Sequence, residues 1–199
     1  MPSVYHPAHR SQLGKGVPVP GRSRGSVDCG PRTVQMGIDQ LTRGEQVPSI
    51  VEIRRRMGKP GPVPTSTTDA DRCVESFGPQ NDRRGLDYVR LQGAVYEPLL
   101  RDAVRAGEYV QVAIDYGVFN RQLGKRTGDP NFTGGHSIGI HGWRIHGGKA
   151  QWQLFDPLDD GRRAGIPKGP RWVSPAAVVA AWRAFGSYLG IFRGGDRTR

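Results

Sequence analysis

Residues 28–41 read DCGPRTVQMGIDQL, and this stretch decides how the rest of the chain is interpreted. Its apolar side chains recur at helical spacing, and Pro31 suits the first turn of a helix. The pattern predicts a helix that begins at Cys29 and ends near Gly44. At a helix N-terminus, unpaired backbone N–H groups and the positive end of the helix dipole stabilise a thiolate. Cys29 is therefore a candidate nucleophile, although most cysteines only fill small apolar gaps.

The second half of the chain changes from helical to strand-like patterns. Two further helices are predicted to open at Ser49 and after Thr68. Residues 117–135 are expected to form a long polar loop. The remaining patterns predict strands at 88–91, 109–116, 137–145, 151–155 and 188–192, and helices at 96–106 and 174–185. Helices first and an antiparallel sheet afterwards predict an α+β domain.

A chain of 199 residues is long enough for one domain with a hydrophobic core and too short for two domains of usual size. Residues 1–27 are rich in Gly and Pro and contain basic but no acidic side chains. We therefore expect them to form an extended basic arm. The folded domain is expected to span residues 28–193, followed by a basic C-terminal tail at residues 194–199.

The formal charge of +11 comes from 29 Lys and Arg against 18 Asp and Glu. Such an excess fits an acidic partner such as nucleic acid, or simply a solvated basic surface. The sequence contains no nucleic-acid motif, so nucleic-acid binding is an alternative that is not favoured. It also contains no apolar run of roughly 18 residues and no recognisable signal peptide, so we expect no membrane span and no export by the general route.

A histidine and an aspartate could complete a catalytic site with Cys29. His136 follows two glycines at the start of a predicted strand, where it could meet a thiol on the opposite helix. Asp156 ends the neighbouring strand, where its carboxylate could fix the tautomer of His136. Taken singly, His136 is better explained as a satisfied core histidine, and Asp156 could be a turn residue before Pro157.

Together these segments resemble a known family. The order Asp28-Cys29-Gly30-Pro31, then residues 135–139 (GHSIG), then Phe155-Asp156-Pro157 is similar to the C39-like branch of the papain-like cysteine peptidases, over roughly residues 27–193. It also resembles C39-like proteins that are encoded by phages of high-GC Gram-positive bacteria and are associated with virions.

The resemblance implies a papain-like fold in which N-terminal helices pack on a C-terminal antiparallel sheet. It implies Cys29 as nucleophile, His136 as general base and Asp156 as the residue that orients the base, with no cofactor and no metal. The expected function is a virion-associated cysteine peptidase or amidase, made in the host cytoplasm and carried in the phage tail. Its expected partners are a peptide or peptidoglycan substrate and other virion proteins, which the arm would contact.

One position departs from the family. Members usually carry a Gln about six residues before the nucleophile, whose amide is an oxyanion-hole donor, and that position is Ser23 in this chain. Losing one such donor typically costs on the order of 10²–10³ in rate. Ser23, Arg24 or Gln35 would have to replace it. The alternative is a weak or inactive peptidase-fold protein that serves as a structural component of the virion.

Other reactive or aromatic residues are better explained by structure. His141 and His146 lie five and ten residues after His136, so on a regular strand the three cannot share one zinc ion. Cys73 is expected to be a half-buried spacer in a polar helix, reduced like Cys29. The four tryptophans are expected to pack between helix and sheet: Trp143, Trp152, Trp172 and Trp182.

Overall fold

The structure is a computed structural model. It describes Ala8, Arg10 and residues 27–77, 86–159, 161, 166 and 169–194. Most of the predicted N-terminal arm and residues 195–199 of the predicted tail lie outside the described residues, and so do Ser23 and Arg24.

The described residues form six α-helices and six β-strands, with a short 3₁₀ turn at Ala94–Tyr96. The helices are α1 Cys29–Thr42, α2 Ile50–Arg56, α3 Thr67–Glu75, α4 Glu97–Arg105, α5 Tyr116–Gln122 and α6 Pro175–Ala184. The strands are β1 Leu86–Gln92, β2 Tyr109–Asp115, β3 Gly135–His146, β4 Lys149–Phe155, β5 Arg171–Val173 and β6 Tyr188–Gly194.

All six strands belong to one antiparallel sheet in the order β1-β6-β2-β3-β4-β5. Each strand alternates between the two faces of the sheet, so neighbouring residues enter different cores. On β2, Tyr109 packs with α1, α2 and α3 on one face. The next residue, Val110, packs with α4, α5 and α6 on the other face. Three N-terminal helices on an antiparallel sheet confirm the predicted α+β class.

Helix α1 is buried along most of its length, from Gly30 to Asp39. It packs against the sheet so closely that a side chain at Gly37 would overlap the Phe192 ring. Because α1 is enclosed, its polar side chains are also buried and must find partners inside the protein. Those partners tie the helix to its surroundings.

The sequence-based prediction of a loop over residues 117–135 is wrong at its start, where α5 covers Tyr116–Gln122. The side chain of Asp115 caps this helix by accepting a hydrogen bond from the N–H of Val118 at 2.8 Å. Gly117 lies in the first turn and suggests a break, but it packs closely against Thr133, where a Cβ would lie 3.3 Å from the Thr133 Cβ.

The tryptophan prediction is correct for Trp152 and Trp182, which are buried in the core between sheet and helices. It is wrong for Trp143, which is 44% exposed near the end of the β3–β4 hairpin. No helix among the described residues is long and apolar enough to cross a membrane.

Candidate active site

Cys29 is the first residue of α1 and is partly exposed. Asp28 precedes it in the N-cap position, but its side chain makes no cap hydrogen bond. The first-turn N–H groups are therefore not covered by a capping side chain. One of them, the N–H of Gly30, hydrogen-bonds the Cys29 sulfur. The head of the helix thus supplies a donor to the thiolate, as the sequence predicts.

Thr33 ties this end of α1 to the strand that carries His136. Its hydroxyl lies 2.8 Å from the carbonyl oxygen of Cys29 and 3.2 Å from that of Ser137. The N–H of Ser137 also hydrogen-bonds the Cys29 sulfur. Helix and strand are therefore joined at two points next to the thiol, which holds Cys29 beside the start of β3.

The other two predicted residues meet at the neighbouring strand ends. His136 is the second residue of β3, and Asp156 directly follows β4, its antiparallel neighbour. The His136 Nε2 atom lies 2.7 Å from the Asp156 Oδ1 atom, and both side chains are buried. The second ring nitrogen, Nδ1, is thereby left to face the Cys29 sulfur, with which the ring forms a hydrogen bond. The structure brings Cys29, His136 and Asp156 together in that order.

The charges of the three groups support one another. Burial opposes ionisation of Cys29 most strongly, but the hydrogen bond and charge of His136, together with the N–H groups of Ser137 and Gly30, outweigh it and lower the pKa of the thiol. Burial also opposes the charge on His136, whereas the Asp156 carboxylate raises its pKa to about 10. Burial raises the pKa of Asp156, but His136, the Leu158 N–H and Arg171 together more than compensate and lower it. These shifts favour the thiolate–imidazolium form of Cys29 and His136 over the neutral pair.

Asp156 is itself held by two donors. The Tyr116 hydroxyl donates to its Oδ2 atom at 2.8 Å, and the N–H of Leu158 donates to Oδ1 at 2.9 Å. The Tyr116 ring also packs edge-on against the His136 ring, with 4.8 Å between centroids. Tyr116 was not identified from the sequence, because it was read as the end of a strand.

No family model and no curated protein matches the chain. Solved structures do match over nearly its whole length. The peptidase domain of Streptococcus ComA, a bifunctional ABC transporter involved in a quorum sensing pathway, has a TM-score of 0.53 at 11% identity, covering 92% of this chain and 98% of that chain. A protein from Bacillus anthracis described as a C39-like peptidase has a TM-score of 0.52 at 13% identity, covering 94% and 97%.

A third match is the digestive procathepsin L 3 of the Tenebrio molitor larval midgut, with a TM-score of 0.54 at 13% identity, covering 95% of this chain and 77% of that chain. The chain has a papain-like cysteine peptidase fold. At these identities the likeness establishes the fold, and the chemistry must be argued from the side chains of this chain.

Within this peptidase fold, Gln35 is the described candidate for the missing oxyanion donor. Its amide nitrogen donates to the Pro48 carbonyl at 2.6 Å, and its oxygen accepts from Arg32 at 2.8 Å. It also lies six residues along α1 from Cys29, a rise of about 9 Å. These contacts tie the amide to the segment that follows α1. The donors described next to the thiol are backbone N–H groups.

Arg54 was not identified from the sequence, yet it organises the Cys29 side of the candidate site. It is fully buried in α2, and its Nε atom pairs with the Asp28 carboxylate at 2.5 Å. Its other nitrogens donate to the backbone carbonyls of Val27, Lys59, Gly61 and Val63. One side chain therefore fixes both the residue before Cys29 and the loop after α2.

The remaining candidates from the sequence are Cys73, His141 and His146. Cys73 is a free, fully buried thiol, more enclosed than predicted, and burial raises its pKa to about 12. His141 is buried near Tyr109 and Phe155, whereas His146 is exposed. No group of three or more His, Cys, Asp or Glu in the described part of the chain is arranged to hold a metal ion.

Two residues of the predicted arm are described, and both contact α1. The backbone N–H of Ala8 donates to the Asp39 carboxylate at 3.1 Å, and the Arg10 guanidinium lies 3.4 Å from the same oxygen. Asp39 is buried toward the C-terminal end of the helix that begins with Cys29.

Proposed function

We propose that the protein is a cysteine peptidase or amidase that cleaves an amide bond through an acyl-enzyme. The observation that carries this proposal is the hydrogen-bonded series Cys29–His136–Asp156 at the head of the buried helix α1. A thiol with a lowered pKa, paired with a histidine that a carboxylate orients, is the arrangement that nucleophilic amide cleavage requires.

Each group then has one role. The Cys29 thiolate attacks the carbonyl carbon, a C–S bond forms, and backbone N–H groups near the thiol stabilise the negative oxygen. The His136 imidazolium gives its proton to the leaving amine as the C–N bond breaks. Water then attacks the thioester while His136 accepts its proton, which releases the acid and restores the thiol. Asp156 keeps the His136 ring oriented throughout.

Alkylation of Cys29 tests the ion pair without any knowledge of the substrate. At pH 6 the thiolate–imidazolium pair should react with iodoacetamide about 10²-fold faster than an ordinary thiol. The substitution His136→Ala should remove that advantage, while His146→Ala, at an exposed histidine, should preserve it. Peptide mapping separates Cys29 from the buried Cys73. Equal rates in wild type and His136→Ala would contradict the proposal.

We further propose that the protein works in a phage virion, in the tail, on peptide or peptidoglycan amides. The resemblance to virion-associated C39-like proteins supports this assignment. Incubation with purified cell walls and with particle proteins, followed by measurement of new amino groups, separates the two substrates. Mass spectrometry of gradient-purified particles tests the location, and absence of the protein from the particles would contradict it.

A structural role for the peptidase fold is the second candidate. Two observations favour it: the family's usual Gln position holds Ser23, and the Gln35 amide is bound to Pro48. A structural component predicts that particles assemble normally with Cys29→Ala and that a thiol-directed peptidase probe does not label wild-type protein. Probe labelling that disappears in His136→Ala favours the enzyme.

A further inference from the structure

A second carboxylate is buried in the turn that follows Asp156. Asp159 is fully buried three residues further along the chain, in a turn where its N–H donates to the Asp156 carbonyl at 2.9 Å. Gly128 closes over this turn so tightly that any side chain there would overlap the Leu158 carbonyl. Two aspartates are therefore held together out of contact with solvent.

The counter-ion of Asp159 is Arg171, and their pairing is incomplete. Arg171 donates from Nε to Asp159 Oδ2 at 2.5 Å and from Nη1 to the Arg126 carbonyl at 2.8 Å. The other carboxylate oxygen, Oδ1, and the other guanidinium nitrogen, Nη2, are buried without a hydrogen-bond partner among the described residues. A complete Arg–carboxylate fork would satisfy both of these atoms. The ionised form of Asp159 is thus less well supported than that of Asp156.

Four charged or titratable groups of the described residues act on Asp159 or respond to it. Burial and the charge of Asp156 raise its pKa, Arg171 and His136 lower it, and the result is a pKa of about 7. The charge of Asp159 in turn raises the pKa of the Tyr116 hydroxyl. Asp159 can therefore change its charge near neutral pH.

We propose that Asp159 is a positioning residue for His136. The ionised Asp159 carboxylate favours the imidazolium form of His136, and protonation of Asp159 weakens the ion pair between His136 and Cys29. This inference rests on the proposed function. Asp159 lies in the turn that follows Asp156, the hydrogen-bond partner of His136. The charges of Asp159 and His136 act on each other. A negative charge in that position favours the charged pair over the neutral pair.

The pH profile of Cys29 alkylation tests the proposal. Wild type and Asp159→Asn should react with iodoacetamide at the same rate below about pH 6, where Asp159 is already neutral. Above about pH 8, wild type should react about three- to tenfold faster, because only it gains the extra negative charge. The control Asp102→Asn removes an exposed carboxylate and should follow wild type throughout. A rate ratio that stays constant with pH, at unity or at any other value, overturns the proposal.

Arg171→Lys gives a second test should Asp159→Asn fail to fold. Lysine keeps the charge but cannot make both Arg171 hydrogen bonds, so Asp159 should hold its proton to higher pH. The rise in alkylation rate should then shift to higher pH, and a profile identical to wild type contradicts the proposal.

His136→Ala distinguishes a failure of the proposed function from a failure of this inference. If it alkylates like wild type, the proposed function fails, whereas an intact ion pair without an Asp159 effect overturns only this inference.

Discussion

Each half of the candidate site contains a buried arginine paired with a buried aspartate, and the two pairs differ. On the nucleophile side, Arg54 uses its guanidinium nitrogens on Asp28 and on four backbone carbonyls. On the base side, Arg171 and Asp159 each keep one buried polar atom without a partner among the described residues. We call the first pair saturated, because none of its described side-chain nitrogen or oxygen atoms is buried without a hydrogen-bond partner. The second pair is unsaturated.

The difference teaches what each half is built to do. A saturated buried pair resists any change of charge or position, because removing one partner leaves the other uncompensated. That property suits the residue before Cys29, which must keep the head of α1 in place. An unsaturated pair is easier to protonate or rearrange. That property suits a group that adjusts the charge around His136 instead of fixing a backbone.

The largest effect should come from breaking the saturated pair. Arg54→Ala leaves Asp28 buried without this cation and frees four backbone carbonyls, so it should lower the free energy of unfolding by about 3–5 kcal/mol. Arg55→Ala is the matched control, because Arg55 is the neighbouring residue on α2, is 67% exposed and pairs with Glu52 at the surface. It should leave the urea unfolding curve nearly unchanged. Similar losses in both variants would show that Arg54 is not a structural centre.

A smaller effect should follow from removing one donor on the base side. Tyr116→Phe deletes the hydroxyl that donates to Asp156, and leaving that carboxylate with one bond fewer should cost about 1–3 kcal/mol. It should also slow Cys29 alkylation at pH 6, because Asp156 then orients His136 less firmly.

Tyr109→Phe is the matched control for that change. Tyr109 is equally buried, but its hydroxyl has no hydrogen-bond partner among the described residues. Its removal should therefore be neutral or slightly stabilising in the same unfolding experiment. A loss at Tyr109 as large as that at Tyr116 would show that ring packing, not the bond to Asp156, is being measured.

Local sequence signals made Cys29, His136 and Asp156 candidates, and the resemblance to C39-like peptidases joined them into one site. Each lies at the end of a helix or strand whose periodicity is visible, and the β3–β4 hairpin brings the last two together. The α+β class followed from the same signals. The start of α5 was missed because Gly117 suggests a break, whereas the cap at Asp115 depends on a side-chain bond that composition does not show.

The residues that surround Cys29, His136 and Asp156 were not predictable in the same way. Arg54 does lie on the face of α2 shared with Ile53 and Met57, so periodicity could have placed it inside. Its partner Asp28 is 26 residues away, however, and no local pattern joins them. Asp159 was not identified from the sequence, since its burial depends on contacts with Arg171 and with the loop at Gly128. Long-range polar contacts of this kind require the fold to be known.

The smallest effect should have the opposite sign. The folded protein holds a proton on Asp159 up to about pH 7, whereas the unfolded chain releases it near 3.8, the ordinary pKa of an aspartate. The folded state therefore loses stability as pH rises between these values. Asp159→Asn removes the penalty, so relative to wild type it should gain on the order of 1 kcal/mol in free energy of unfolding for each pH unit between pH 5 and pH 7. Asp102→Asn, at an exposed site, should show a difference that does not vary with pH. The contrary outcome is a stability difference between Asp159→Asn and wild type that falls with rising pH. It would mean that Arg171 stabilises the ionised Asp159 carboxylate as fully as Arg54 stabilises that of Asp28. The contrast between the two pairs would then disappear.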